Sequence, residues 1–102
     1  MSTQGNGAPR PFSVHMAQAI RAQVVELHAR ALSAGAGQRF VAAFKTVVER
    51  LRSDPLVFGE ELYYLPALKL HIRQAVVTPV VVDYAVHSEK PLVFIRGIKV
   101  LS

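Results

Sequence analysis

The sequence predicts a single α+β domain in which an N-terminal helical hairpin packs on a three- to four-stranded antiparallel sheet. Two observations lead to this prediction. Between residues 17 and 51, apolar residues recur at steps of three and four, which is the spacing of one helical face. Beyond residue 68, Val, Ile, Leu, Phe and Tyr dominate with a period of two, which is typical of strands.

The chain length of 102 residues leaves room for one hydrophobic core. Hydrophobic residues make up 51% and charged residues 19%, so most of the chain is expected to fold. We expect a disordered leader over residues 1–11, which are mostly polar and contain Gly and Pro, and one domain over 12–102. No apolar run approaches the ~20 residues that cross a bilayer, and the leader does not resemble a signal peptide. We therefore expect a cytoplasmic protein without a membrane partner.

The first elements follow from local periodicity. Residues 12–16 alternate between apolar and polar side chains, so a short first strand is possible, limited by Pro11 to an edge or a start. Two helical stripes then flank the glycine-containing segment 33–37, and Pro55 ends the second helix. The first stripe comprises Ala17, Ile20, Val24, Leu27 and Ala31, and the second comprises Phe40, Val41, Phe44, Val47, Val48 and Leu51. A short loop between such helices predicts an antiparallel hairpin.

Three strands are predicted after the hairpin, over residues 69–76, 80–87 and 92–101. The breaks between them, Thr78-Pro79 and residues 87–90, are short and polar. Two consecutive β-hairpins are the simplest connection, with the helical hairpin covering the apolar face.

Charge and residue types limit the chemistry. A net charge of +5 favours an anionic partner, although the same charge also keeps a small protein in solution. The absence of cysteine excludes disulfides, thiolate zinc sites and thiol nucleophiles. The four histidines show no metal-ligand spacing, and no cofactor or metal is predicted. The adjacent carboxylates Glu60 and Glu61 are interpreted as a solvated pair without a role.

The strongest candidate site is a row formed by Lys69, His71 and Arg73. Alternation along a strand would place the three side chains on one face within ~14 Å of each other, where they could follow a phosphate backbone. Histidine is the side-chain type whose charge changes nearest to neutral pH, so His71 is the member suited to proton transfer. An ordinary solvated sheet face is the alternative interpretation. Two further cations, Arg96 and Lys99, lie in the last predicted strand, where Arg96 either reaches an anionic ligand or pairs with Asp83.

The order of the elements and the sequence of residues 40–102 resemble those of the RelE/ParE superfamily of toxin-antitoxin systems. The resemblance rests on a helix ending in Leu51-Arg52-Ser53-Asp54-Pro55, the Phe58-Gly59-Glu60 turn and the strands that begin near Leu65, Val80 and Val93. It implies an mRNA-binding sheet face in the family's ribonuclease members, with Lys69, His71 and Arg73 at the second-strand positions. Val81 occupies the position of the third-strand arginine, and the chain ends at Ser102 without the C-terminal tyrosine and arginine.

Two functions are therefore considered. The first is a non-catalytic or diverged toxin-type protein, of the kind that stabilises plasmids, which binds a protein partner or nucleic acid and is held by a cognate antitoxin. The second is a metal-independent endoribonuclease that cleaves mRNA on the ribosome. Its catalytic residues would be His71 and Arg73, and its RNA-binding residues would be Lys69, His71, Arg73, Arg96 and Lys99. The oligomeric state is left open.

Overall fold

The computed structural model describes residues 11–101, so residues 1–10 of the predicted leader lie outside it. The described chain forms two helices and five strands. These are β1 (Ser13–Met16), α1 (Gln18–Ser33), α2 (Gly37–Ser53), β2 (Glu60–Leu65), β3 (Leu70–Val77), β4 (Val80–His87) and β5 (Leu92–Val100). The α+β class and the helical hairpin ahead of the main strands are confirmed.

The sheet differs from the prediction, because it has five strands in the order β1-β5-β4-β3-β2 and is mixed. Strands β2 to β5 pair antiparallel, whereas β1 pairs in parallel with β5. The prediction of a three- to four-stranded antiparallel sheet is therefore wrong. The missed strand, β2, reads Glu-Glu-Leu-Tyr-Tyr-Leu and lacks a clean alternation. The parallel pair arises because the helical hairpin and the meander bring the last strand back beside the first.

The core lies between α2 and the sheet. Phe40, Ala43, Val47 and Leu51 line the buried stripe of α2. This stripe packs in one cluster with sheet residues that are also buried: Ala75, Val80, Val82, Tyr84, Val86, Val93, Ile95 and Ile98. Val82, Val86 and Val93 have no exposed surface at all. Such close packing makes β4 and β5 the rigid centre of the molecule.

Helix α1 covers the sheet less completely than its periodicity predicts. It contains no fully buried residue, and its apolar stripe is only half-buried against the core. Val25 and Leu32 of α1 are 70% and 60% exposed, and Val41 of α2, which was predicted on the buried stripe, is 48% exposed. None of the helices within residues 11–101 combines the length and the hydropathy that a membrane crossing requires.

The two faces of the sheet have different surroundings. Cross-strand pairs such as Arg73 with Tyr84 and Ala75 with Val82 lie on the helix face, on which both helices pack. Alternate residues point away from the helices. We call this second surface the open face; its strand residues are Ser13, His15, Glu60, Tyr63, Leu65, Leu70, Ile72, Gln74, Val76, Val81, Asp83, Ala85, His87, Leu92, Phe94, Gly97 and Lys99.

Candidate functional site

The three side chains that were predicted to form a cationic row, Lys69, His71 and Arg73, do not lie in one row. Lys69 precedes β3 and has a φ of 56°, a left-handed conformation that belongs to the β2–β3 turn. Its Nζ lies 3.0 Å from a carboxylate oxygen of Glu89, and both side chains are about half exposed. Lys69 therefore does not share a strand face with His71, and its charge is already paired.

Arg73 is a buried residue whose guanidinium stabilises the connection between α2 and β2. Its side chain is 9% exposed. The guanidinium donates to the main-chain oxygens of Phe58 and Gly59 at 3.2 to 3.4 Å, and to the Glu61 carboxylate at 3.3 Å. Charge-assisted hydrogen bonds of this kind fix the turn that leads from α2 into β2. The geometry assigns Arg73 a structural role at this turn.

Tyr84 completes the same network from the neighbouring strand. Its ring is fully buried, and its hydroxyl lies 3.0 Å from the Pro55 oxygen and also contacts the Phe58 oxygen. Arg73 Nε approaches the hydroxyl at 3.4 Å. Burial raises the pKa of the Tyr84 phenol, since the charged phenolate would lose its hydration. Tyr84 and Arg73 together anchor the α2–β2 connection to the centre of the sheet.

Of the two predicted catalytic residues, His71 is the more accessible, with a side chain 26% exposed against 9% for Arg73. Its Nδ1 lies 2.9 Å from Glu61 Oε1, the same oxygen that accepts from Arg73. The imidazole also packs on the Tyr64 ring, with centroids 4.6 Å apart. A carboxylate on Nδ1 orients the ring and would leave Nε2 for proton transfer. The pair therefore has the form of a proton-transfer dyad.

Glu61 is the residue that sequence reasoning missed. The register of β2 against β3 places Glu61 opposite Arg73 and Tyr64 opposite His71. That register depends on β2 being a strand, and on the irregularity between Glu61 and Tyr63. The adjacent pair Glu60-Glu61 was the available signal, but without the strand it could not be assigned to a face.

Val81 lies on the opposite side of the sheet from these residues. It pairs with Val76, which is three positions from Arg73 and therefore points to the open face. Val81, where the resemblance places a catalytic arginine, consequently lies on the open face. His71 and Arg73 of β3 lie on the helix face. Residues on the two faces cannot contribute to one site.

Arg96 and Lys99 lie on β5 and are exposed. Arg96 falls in the bulge where the β4–β5 register shifts, while Lys99 pairs with Val81 at the open face. Within residues 11–101, no ion pair joins Arg96 to Asp83. Asp83 instead accepts a hydrogen bond of 2.8 Å from Gln74 Nε2. Arg96 therefore reaches solvent.

The open face is apolar at its centre. A row that crosses all five strands consists of Tyr63, Ile72, Ala85, Phe94 and His15. Ile72 and Ala85 are 2% and 1% exposed although no described helix covers them, so the side chains around them bury them. Tyr63 and Phe94, on either side of this buried pair, are 48% and 37% exposed. The result is an apolar surface with exposed aromatic rings.

Residues 11–101 contain no group of three or more His, Asp or Glu placed to hold a metal ion. Comparison with protein-family models, curated proteins and solved structures finds no match to the chain.

Proposed function

We propose that the protein is a RelE/ParE-like, toxin-type protein without ribonuclease activity, which acts by binding a protein partner through the open face. The observation that carries the proposal is the division of the sheet into two faces. The open face presents aromatic and aliphatic side chains, whereas His71 and Arg73 lie on the helix face. A cognate antitoxin is part of the same proposal.

The ribonuclease alternative has little support from the geometry of the cations. Cleavage of RNA by its 2′-hydroxyl needs a base, a proton donor and groups that stabilise charge on the phosphate. The dyad of His71 and Glu61 could move a proton. However, the guanidinium of Arg73 is bonded to main-chain oxygens, and Lys69 is paired with Glu89. Two of the three cations considered as stabilisers are therefore engaged within the protein, and the third, Arg96, is exposed on β5.

A protein partner fits the open face better than a nucleic acid does. Exposed aromatic rings can stack on bases, but single-stranded nucleic acids are also held by cations along the phosphate backbone. Among the paired strand residues of the open face, the register supplies one such cation, Lys99, and the exposed Arg96 lies in the bulge of the same strand. Protein interfaces, in contrast, have apolar centres enriched in aromatic residues. The exposed side chains of Tyr63, Phe94 and Val76 match that composition.

Induced expression in bacterial cells tests the proposal with matched variants. Phe94→Asp places a charge on the open face, and Val25→Asp places the same charge on the outer side of α1, where the side chain is 70% exposed. We expect the wild-type protein, Val25→Asp and His71→Ala to slow growth, and Phe94→Asp to lose this effect while retaining its circular dichroism spectrum. Equal growth inhibition by both aspartate variants would refute the assignment of the open face.

A further inference from the structure

A second surface, independent of the open face, lies at the end of the molecule where the helical hairpin turns. There, the end of α1 and the start of α2 stand over the β3–β4 turn and the end of β5. They enclose a groove of about 580 Å³. Ligand pockets for small molecules typically have volumes of ~300–1,000 Å³.

The walls of this groove are apolar and made largely of small side chains. Phe40, which is 2% exposed, belongs to the lining, together with Leu27, Ala31, Ala34, Ala36 and Pro79. Three alanines leave space that larger residues would fill. An apolar chain of a ligand would therefore be removed from water there.

The polar groups of the groove are few and mostly cationic. Arg30 of α1 and Arg39 of α2 line it, with Thr78 as the remaining polar side chain. No Asp or Glu belongs to the lining. Arg30 shares its charge with Glu26 at 3.3 Å in a pair that is more than 60% exposed, whereas Arg39 has no ion pair within the described part of the chain. Arg39 thus stands at an apolar groove without an ion-pair partner among residues 11–101, and Arg30, paired with Glu26 at the surface, is the second guanidinium of the lining.

The apolar walls and the two arginines of the groove favour one class of ligand. Nucleotides and sugars carry many donors and acceptors, which would stay unpaired against alanine, leucine and proline walls. The geometry points to a carboxylate with an acyl chain, such as a fatty acid. The acyl chain lies in the groove, and Arg39 and Arg30 bind the carboxylate. The bidentate geometry of guanidinium suits a carboxylate.

Titration of the full chain with decanoate, followed by amide shifts in nuclear magnetic resonance spectra, tests this site. We expect saturable binding below the micelle concentration, with the shifts concentrated at Ala31, Ala36 and Thr78. Arg39→Gln should weaken decanoate binding about tenfold, because it removes one charge-assisted hydrogen bond to the carboxylate. Arg52→Gln, on the same helix but outside the lining, should bind like the wild type.

Two further measurements make the outcome decisive. The uncharged alcohol 1-decanol should bind at least tenfold more weakly than decanoate, because it offers no anion to the arginines. Ala34→Leu, which fills the groove at an exposed lining position, should also reduce decanoate binding. The assignment is overturned if shifts fall elsewhere, if decanol and decanoate bind equally, if Arg39→Gln has no effect, or if saturable binding is absent.

Discussion

Arg73 and Val81 lie on opposite faces of the sheet, although both belong to the central hairpin formed by β3 and β4. Arg73 pairs with Tyr84 on the helix face, while Val81 pairs with Val76 on the open face. This relationship separates the positions that a ribonuclease of the resembled superfamily would combine. It also leaves the open face free of the predicted basic row.

Removing the Arg73 side chain should destabilise the fold. Arg73→Ala leaves the oxygens of Phe58 and Gly59 without this donor and Glu61 without its cation, which should lower the free energy of unfolding by about 3 kcal/mol. Arg96→Ala removes an exposed arginine and should cost less than about 0.5 kcal/mol. Urea denaturation measures both changes. Equal, small losses would show that Arg73 is not a structural residue.

Two glycines with positive φ should respond differently to alanine. Gly59 has a φ of 69°, and an added Cβ would lie against the Gln74 main-chain oxygen and 2.8 Å from the Ala75 Cβ. Gly59→Ala should therefore lower the free energy of unfolding by more than about 2 kcal/mol, combining backbone strain and a steric clash. Gly35 has a φ of 75° but open space around it, so Gly35→Ala should cost about 1 kcal/mol. The reverse order in thermal or urea unfolding would contradict this description of the α2–β2 turn.

The buried Tyr84 hydroxyl predicts a loss of stability in alkaline solution. Its pKa is raised in the folded protein, so above the ordinary tyrosine value of 10.0 the unfolded chain releases this proton while the folded chain retains it. The contribution is fully present below pH 10 and is lost as pH rises through the folded pKa. Tyr84→Phe should be less stable near neutral pH, by about 1 to 2 kcal/mol, because the Pro55 and Phe58 oxygens lose a donor.

The alkaline test compares the slopes of the two proteins. Between pH 9 and pH 11, the wild-type free energy of unfolding should fall more steeply than that of Tyr84→Phe. Parallel slopes would mean that Tyr84 does not titrate differently in the folded and unfolded states.

Local periodicity was sufficient to predict some elements, and long-range pairing decided the others. The 3.6-residue spacing around Val47 predicted α2, which buries one regular face, and the Val-rich alternating sequence around Val82 predicted β4, whose apolar residues are buried on both faces. Strand β2 was missed because Leu62 to Tyr64 are all exposed at an edge, so no alternation selects a face. The parallel pairing of β1 depends on a partner some 80 residues away, as Val14 pairs with Val93.

The candidate site also depends on contacts between distant parts of the chain, which local sequence patterns do not encode. No pattern in the sequence indicated that Lys69 would adopt a left-handed turn conformation, one residue before β3 begins. The burial of Arg73 depends on main-chain oxygens of Phe58 and Gly59, which no side-chain pattern encodes. The role of Glu61 follows from the β2–β3 register. His71 keeps partial access to solvent beside Arg73, and its catalytic role stays a prediction.

Mapping of mRNA 5′ ends after induced expression tests the absence of ribonuclease activity most directly. With the wild-type protein, growth should slow without new 5′ ends within translated messages, and His71→Ala should give the same transcript profile and the same growth. New 5′ ends in the wild type that disappear in His71→Ala would contradict the proposed function and establish the dyad of His71 and Glu61 as a catalytic site.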